Sequence, residues 1–141
     1  MSVDFIDSNV FVYLFDEIDT GKRERAQTLI HRALLRRTAC ISFQVVQETL
    51  NVLTRKLPVP LEADDARLFL ERILVPLWRI GPSEQFYRHG LELQARYRYG
   101  LYDALIIAAA LSVGCTTLYS EDLQHDQRIE GLRICNPFVG T

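Results

Sequence analysis

Val3-Asp4-Phe5-Ile6-Asp7-Ser8-Asn9-Val10 is the stretch that decides the fold. Val3 to Ile6 reads as a short buried strand, and Asp7-Ser8-Asn9 supplies three cap-forming residues before an apolar pattern resumes at Val10 to Phe15 as a short helix. A strand handing over to a helix through an acidic turn, so close to the N-terminus, is how an α/β chain begins. Further along, Ala26, Leu29, Ile30, Ala33 and Leu34 follow helical spacing, with Lys22, Arg23, Glu24, Arg25, Arg32 and Arg36 on the other side. Ala39 to Ile41 reads as a second strand, and Ser42 is a favourable N-cap for a helix from Phe43 to Arg55 that ends before Pro58 and Pro60.

The alternation continues. Ala66, Phe69, Leu70, Ile73 and Leu74 make a helical pattern that passes Pro76 to a strand near Leu77 to Ile80. Gly81-Pro82-Ser83 starts a helix running towards Tyr97, and Tyr102 to Val113 is apolar on every side until Gly114 ends it. Thr116 to Tyr119 reads as the next strand, and Leu132 to Cys135 as a last strand at the sheet edge. These patterns predict α/β architecture with a central, mainly parallel sheet, and the length of 141 residues predicts one domain, 1–141, around one core.

Composition excludes several classes. Hydrophobic residues make up 48% and charged residues 24%, with no low-complexity stretch or repeat, which is ordinary globular usage. The N-terminus lacks a basic leader region and the apolar run Ala104 to Leu111 is too short to span a bilayer, so no membrane role and a cytoplasmic location are expected. Cys40, Cys115 and Cys135 are odd in number, lie far apart in sequence and read as reduced core thiols. His31, His89 and His125 show no paired ligand spacing, so zinc is not expected. With net charge −2, attraction of nucleic acid by the molecule as a whole is not available, and any RNA contact must use local basic patches.

Four acids carry the chemistry: Asp7, Glu48, Asp103 and Asp122 each stand after or inside a segment that reads as core. Singly each has a commonplace explanation. Asp7 reads equally as a helix cap, Asp103 as a first-turn acid favoured by the helix dipole, and Asp122 as a turn residue. Glu48 has no capping role, although a salt bridge with Arg55 would account for it. Jointly they point to one cation site, because buried carboxylates need a partner and a parallel sheet brings the ends of its strands to one edge.

Those segments carry a resemblance that extends over essentially the whole chain. Asp7-Ser8-Asn9, Ser42-Phe43-Gln44-Val45-Val46-Gln47-Glu48, Tyr102-Asp103-Ala104-Leu105-Ile106 and Leu118-Tyr119-Ser120-Glu121-Asp122-Leu123 resemble the successive motifs of PIN-domain proteins of the VapC toxin type, with Ser120 where many members have Thr. The resemblance implies a three-layer α/β/α sandwich and an endoribonuclease dependent on Mg²⁺ or Mn²⁺. It also implies a cognate VapB-like antitoxin and, commonly, a homodimer.

All-oxygen carboxylate sites suit those hard ions. Asp7, Asp103 and Asp122 are expected as inner ligands, with Glu48 as a further ligand or as an acceptor orienting a water on the metal. Asn9 and Ser120 are expected to hold the acids in place. A substrate strand needs cations near these acids. Arg96-Tyr97-Arg98-Tyr99 offers bases interleaved with aromatics for RNA, although cations at a helix C-terminus with aromatics in the core describe the same residues equally well.

Three other readings compete. Phosphoacceptor domains need a late lysine, whereas the last lysine here is Lys56; ribonuclease-H-like nucleases open with antiparallel hairpins. A PIN scaffold that binds RNA or protein without cleaving is the non-enzymatic alternative.

Overall fold

The computed structural model describes residues 3–140. Six strands form one sheet in the order β3-β2-β1-β4-β6-β5, where β1 is Asp4–Ile6, β2 Ala39–Ser42, β3 Trp78–Ile80, β4 Thr117–Tyr119, β5 Arg128–Ile129 and β6 Leu132–Cys135. All pairings are parallel except that of β5 with β6. After β1 the chain builds outwards through β2 and β3, then returns to the other side of β1 to lay down β4. The order therefore reverses between β1 and β4, and in open α/β sheets the crevice outside the carboxyl ends of such strands is where ligands bind.

The helices are α1 (Ser8–Val12), α2 (Thr20–Arg36), α3 (Phe43–Arg55), α4 (Ala63–Phe69), α5 (Val75–Leu77), α6 (Glu84–Tyr97) and α7 (Leu101–Ser112). Helix α2 lays Leu29 and Ala33 over the face of β1 and β2 that carries Ile6 and Ala39. On the other face, Phe5, Cys40, Leu118 and Ile134 are buried in the same apolar cluster as α7, whose residues Ala104 to Ala110 are all buried. Helix α6 packs on α7 from outside, which explains why α7 is apolar all round. Gly90 sets that approach, since a Cβ there would meet Leu105 Cδ2 at 2.5 Å. Among the described residues no helix is long and apolar enough to cross a membrane.

Helix α3 has the expected bounds, but Ser42 at its N-cap makes no side-chain cap bond, and its buried hydroxyl has no hydrogen-bond partner among the described residues. Ser83, by contrast, caps α6 by accepting from Phe86 N at 3.1 Å. The expected helix over Ala66 to Leu74 is interrupted: α4 passes into a π turn at Leu70–Leu74, and Val75 N–H donates to the Leu70 carbonyl. Pro76 follows at once, and a ring that cannot donate and crowds the preceding turn favours this wider register.

Strand β6 is not at the edge. The two-residue strand β5 pairs beyond it through a tight hairpin whose central residues, Glu130 (φ 50°) and Gly131 (φ 90°), have the left-handed conformation such turns require. Cys40 and Cys115, distant in sequence, have Sγ atoms 3.7 Å apart in the core, and both are free thiols.

Candidate active site

Asp7 ends β1 and caps α1. Its Oδ1 accepts from Ser8 N at 2.7 Å, its own N–H donates to the Tyr119 carbonyl at 2.9 Å, and its side chain is only 4% exposed. The bond to Tyr119 ties the end of β1 to the end of β4, the strands that flank the topological switch. Beyond β4, Ser120 Oγ donates to Asp7 Oδ2 at 2.8 Å and accepts from Asp122 N at 3.2 Å. The Asn9 amide nitrogen faces Asp122 Oδ2 at 3.2 Å, Ser120 Oγ at 3.3 Å and Asp7 Oδ2 at 3.4 Å, while its Oδ1 accepts from Glu121 N at 3.1 Å. Asn9 and Ser120 thus both contact Asp7, and Asn9 also contacts Asp122.

Glu48 on α3 and Asp103 in the first turn of α7 lie near enough to feel each other and Asp122. The coupling is visible in the proton affinities of Asp7, Glu48 and Asp103. Burial pushes Asp7 up to about 7, against lowering hydrogen bonds from Ser120 and Ser8, and the charges of Glu48 and Asp122 raise it further. Burial also raises Glu48, opposed by hydrogen bonding to Gln44 and Ser8 and reinforced by Asp103 and Asp122. Asp103 is raised by burial and then by Asp122. Among the described residues none of the four acids pairs with a lysine or arginine at salt-bridge distance, and no lysine or arginine is among the main influences on these three.

Such a set fits a hard divalent cation in donor chemistry: every candidate ligand is a carboxylate oxygen, and the one fully buried acid lacks a counter-ion among the described residues. The spacing is looser than an all-protein cage. Among the described residues no three His, Cys, Asp or Glu side chains stand close enough to hold an ion between them. Magnesium commonly takes only one or two carboxylates directly and keeps several waters, so the donor set suits it better than it suits calcium or zinc.

Three partners of the acids were not foreseen from sequence. Gln44 Nε2 donates to the Tyr102 carbonyl at 3.0 Å while the same side chain supports Glu48, which couples α3 to the start of α7; its i, i+4 spacing from Glu48 was the available signal. Ser8 serves both Asp7 and Glu48. Glu121 is gripped by Lys22 Nζ at 2.6 Å and by Tyr13, whose hydroxyl donates to it at 2.5 Å. This cluster fixes the Ser120–Asp122 segment from the side of α2.

The four residues Arg96 to Tyr99 divide. The Arg96 guanidinium lies 5.4 Å from its neighbour's ring, Tyr97, and Arg98 ends α6 with φ 61°. Both arginines are exposed, whereas Tyr97 and Tyr99 pack against the core and the Tyr99 hydroxyl donates to Gln127. Tyr99 nonetheless feels the charge of Asp103, so this corner borders the acids.

Comparison with known proteins follows the same lines. No curated protein matches the chain. Among solved structures it is similar to VapC20 of Mycobacterium tuberculosis, a Sarcin-Ricin loop cleaving toxin. That likeness has a TM-score of 0.61 and 18% identity, over 84% of this chain and 89% of that one. It is also similar to a chain of a toxin-antitoxin complex from Klebsiella pneumoniae (TM-score 0.67, 18% identity, 95% and 97% covered) and to one of DNA-bound VapBC from Salmonella typhimurium (0.64, 21%, 95% and 97%). At these identities the likeness shows a shared fold. The family model described as PIN domain matches residues 5–129, a span that holds all four acids and every strand from β2 to β5, and so this chain belongs to the PIN domain family.

Proposed function

We propose that this PIN domain is a metal-dependent endoribonuclease, hydrolysing RNA phosphodiester bonds at Asp7, Glu48, Asp103 and Asp122, and that it is the toxin of a type II, VapBC-like toxin-antitoxin pair. The observation that carries the proposal is Asp7: a carboxylate sealed at a strand end, raised to about 7 and surrounded by acids rather than bases. Evolutionary tolerance of so costly a group is explained if a cation completes the site.

Asp7, Asp103 and Asp122 would hold Mg²⁺ or Mn²⁺, in part through water, with Glu48 as a fourth ligand or a proton acceptor. When bound, the ion activates a water and stabilises charge on the phosphate. Asn9 and Ser120 hold Asp7 and Asp122 in one orientation by bonds made before any substrate arrives. Glu48, half-buried and held by Gln44 and Ser8, would serve as the acceptor that orients or takes a proton from a water. Tyr99 feels the charge of Asp103, and the exposed Arg96 and Arg98 next to it in sequence would meet the RNA.

The reading includes a cognate VapB-like antitoxin, a homodimer, a single nuclease domain over 1–141 and a cytoplasmic location. It is supported by the family membership and by neighbours that are themselves toxins or toxin-antitoxin complexes. The competing reading, a non-catalytic scaffold, is favoured by one observation, the absence of three acids at direct ligand spacing among the described residues. Expressing wild type and Asp7→Asn side by side and sequencing the RNA 5′ ends tests the proposal. New, position-specific ends in the wild type alone are expected; identical end profiles would leave the scaffold.

A further inference from the structure

The face of the sheet under α2 is only half covered. Residues directly opposite in register share a face, so Asp4 and Ile6 of β1, Thr117 and Tyr119 of β4, Arg133 and Cys135 of β6, and Arg128 of β5 look the same way. Helix α2 buries Ile6, but Thr117, Tyr119 and Cys135 are half-buried and Arg128 and Arg133 exposed, while their neighbours Leu118 and Ile134 on the opposite face are fully buried. A groove therefore runs along the strands between α2 and β6. At its α2 wall Asp4, Leu29, Arg32, Arg36 and Tyr119 line a cavity of about 260 Å³.

The groove is cationic in a chain whose net charge is −2. Arg25, Arg32 and Arg36 recur at helical spacing along one edge of α2, and Arg128 and Arg133 face them from the sheet. Against these five guanidinium groups, two carboxylates stand among the described residues of the groove. Asp126 accepts from Arg133 at 2.6 and 3.0 Å, and Asp4, on the floor, is raised by burial while Arg32 draws it down. Among the described residues Arg32 and Arg36 make no ion pair at salt-bridge distance, and Arg25 donates to the Pro137 carbonyl at 3.1 Å. At the Tyr119 end the segment after β6 crosses towards α2: Arg25 holds the Pro137 carbonyl, and Phe138 packs on Tyr13 with Lys22 beside it, so the groove is bounded there.

We propose that this groove binds the sugar-phosphate backbone of single-stranded RNA. Guanidinium groups spaced along a track, with a half-exposed tyrosine ring among them, fit a flexible polyanion better than they fit a folded protein surface. This assignment rests on the ribonuclease reading for the choice of RNA but not for its binding, which can be read without cleavage.

The test uses the full chain in EDTA, where hydrolysis is silent, and a fluorescent 12-nucleotide single-stranded RNA titrated at several salt concentrations. Arg32→Gln with Arg36→Gln should weaken binding ~10-fold and reduce the slope of log K against log salt by roughly 1.4, about 0.7 for each phosphate no longer neutralised. Asp4→Asn should tighten binding. Arg67→Gln with Arg88→Gln, on outer helix faces, should change neither, and thermal melts confirm that these exposed substitutions fold. Unchanged affinity and slope in the Arg32/Arg36 variant overturn the proposal, as does a wild type that binds no RNA. Loss only on Arg96→Gln with Arg98→Gln would also overturn it and place the track at the end of α6. Groove-dependent binding by a wild type that cuts no RNA would instead remove the ribonuclease reading and leave this surface standing.

Discussion

Replacing Asp7 by Asn should stabilise the metal-free protein, which is the opposite of what loss of a buried, hydrogen-bonded side chain does elsewhere. The folded-state pKa is about 7 against an ordinary 3.8. A carboxyl raised on folding contributes fully below the unfolded value and loses that contribution as pH rises through the folded one. Ionising Asp7 in the fold thus costs the wild type up to about 4 kcal/mol by pH 8, and roughly 1 kcal/mol at pH 4.5. Asn has no such charge. Its single carbonyl oxygen can accept from Ser8 N or from Ser120 Oγ but not well from both, which forfeits about 1–2 kcal/mol. The net expectation is a gain of about 2–3 kcal/mol at pH 8 and near zero or a small loss at pH 4.5. Urea unfolding in EDTA at the two pH values measures it. If the variant is the weaker protein at pH 8, or if the difference does not change with pH, the description of Asp7 as an uncompensated buried acid is wrong.

Further outcomes follow from the same contacts. Mn²⁺ at a hundred times its dissociation constant should stabilise the wild type by about 2.7 kcal/mol and leave Asp7→Asn nearly unmoved, as read by thermal melting. Thr49→Val should be neutral or stabilising by up to about 1 kcal/mol, because the Thr49 hydroxyl is buried with no partner among the described residues; chemical unfolding reads this directly. Gly90→Val should destabilise by roughly 2–3 kcal/mol in the same unfolding assay, since even the first carbon of a side chain meets Leu105. Glu121→Gln should weaken the Lys22 clamp while sparing the acids themselves, raising the metal concentration needed for cleavage more than it lowers the maximal rate.

Local signals were legible where one segment carried them whole. Helix α3 runs Phe43–Arg55 as read, because its apolar periodicity is unbroken and prolines follow it, and the Ser83 cap of α6 is equally local. The four acids could be singled out because each follows or interrupts an apolar run, and strand ends in a parallel sheet converge whatever their separation in the chain. Other features depend on pairs that no window contains. The Lys22–Glu121–Tyr13 cluster joins residues up to 108 positions apart, and the Cys40–Cys115 contact spans 75. The π turn before Pro76 reflects a choice between two backbone registers that side-chain periodicity barely distinguishes. Likewise β6 reads as an edge in sequence because the Glu130-Gly131 turn lacks the usual Asn or Asp before its glycine, which hides the two-residue strand beyond it. The open groove beside α2 is hidden for a related reason: its arginines read as one solvated helix face until the register sets Arg128 and Arg133 opposite them.

Direct titration of Mn²⁺ into the purified protein, following the free-ion signal by electron paramagnetic resonance, bears most closely on whether these carboxylates form one cation site. The account predicts saturable binding by the wild type, weakened at least ~10-fold in both Asp7→Asn and Asp122→Asn, although these residues belong to different strand ends. Binding that is absent from the wild type, or that survives both substitutions unchanged, would contradict it.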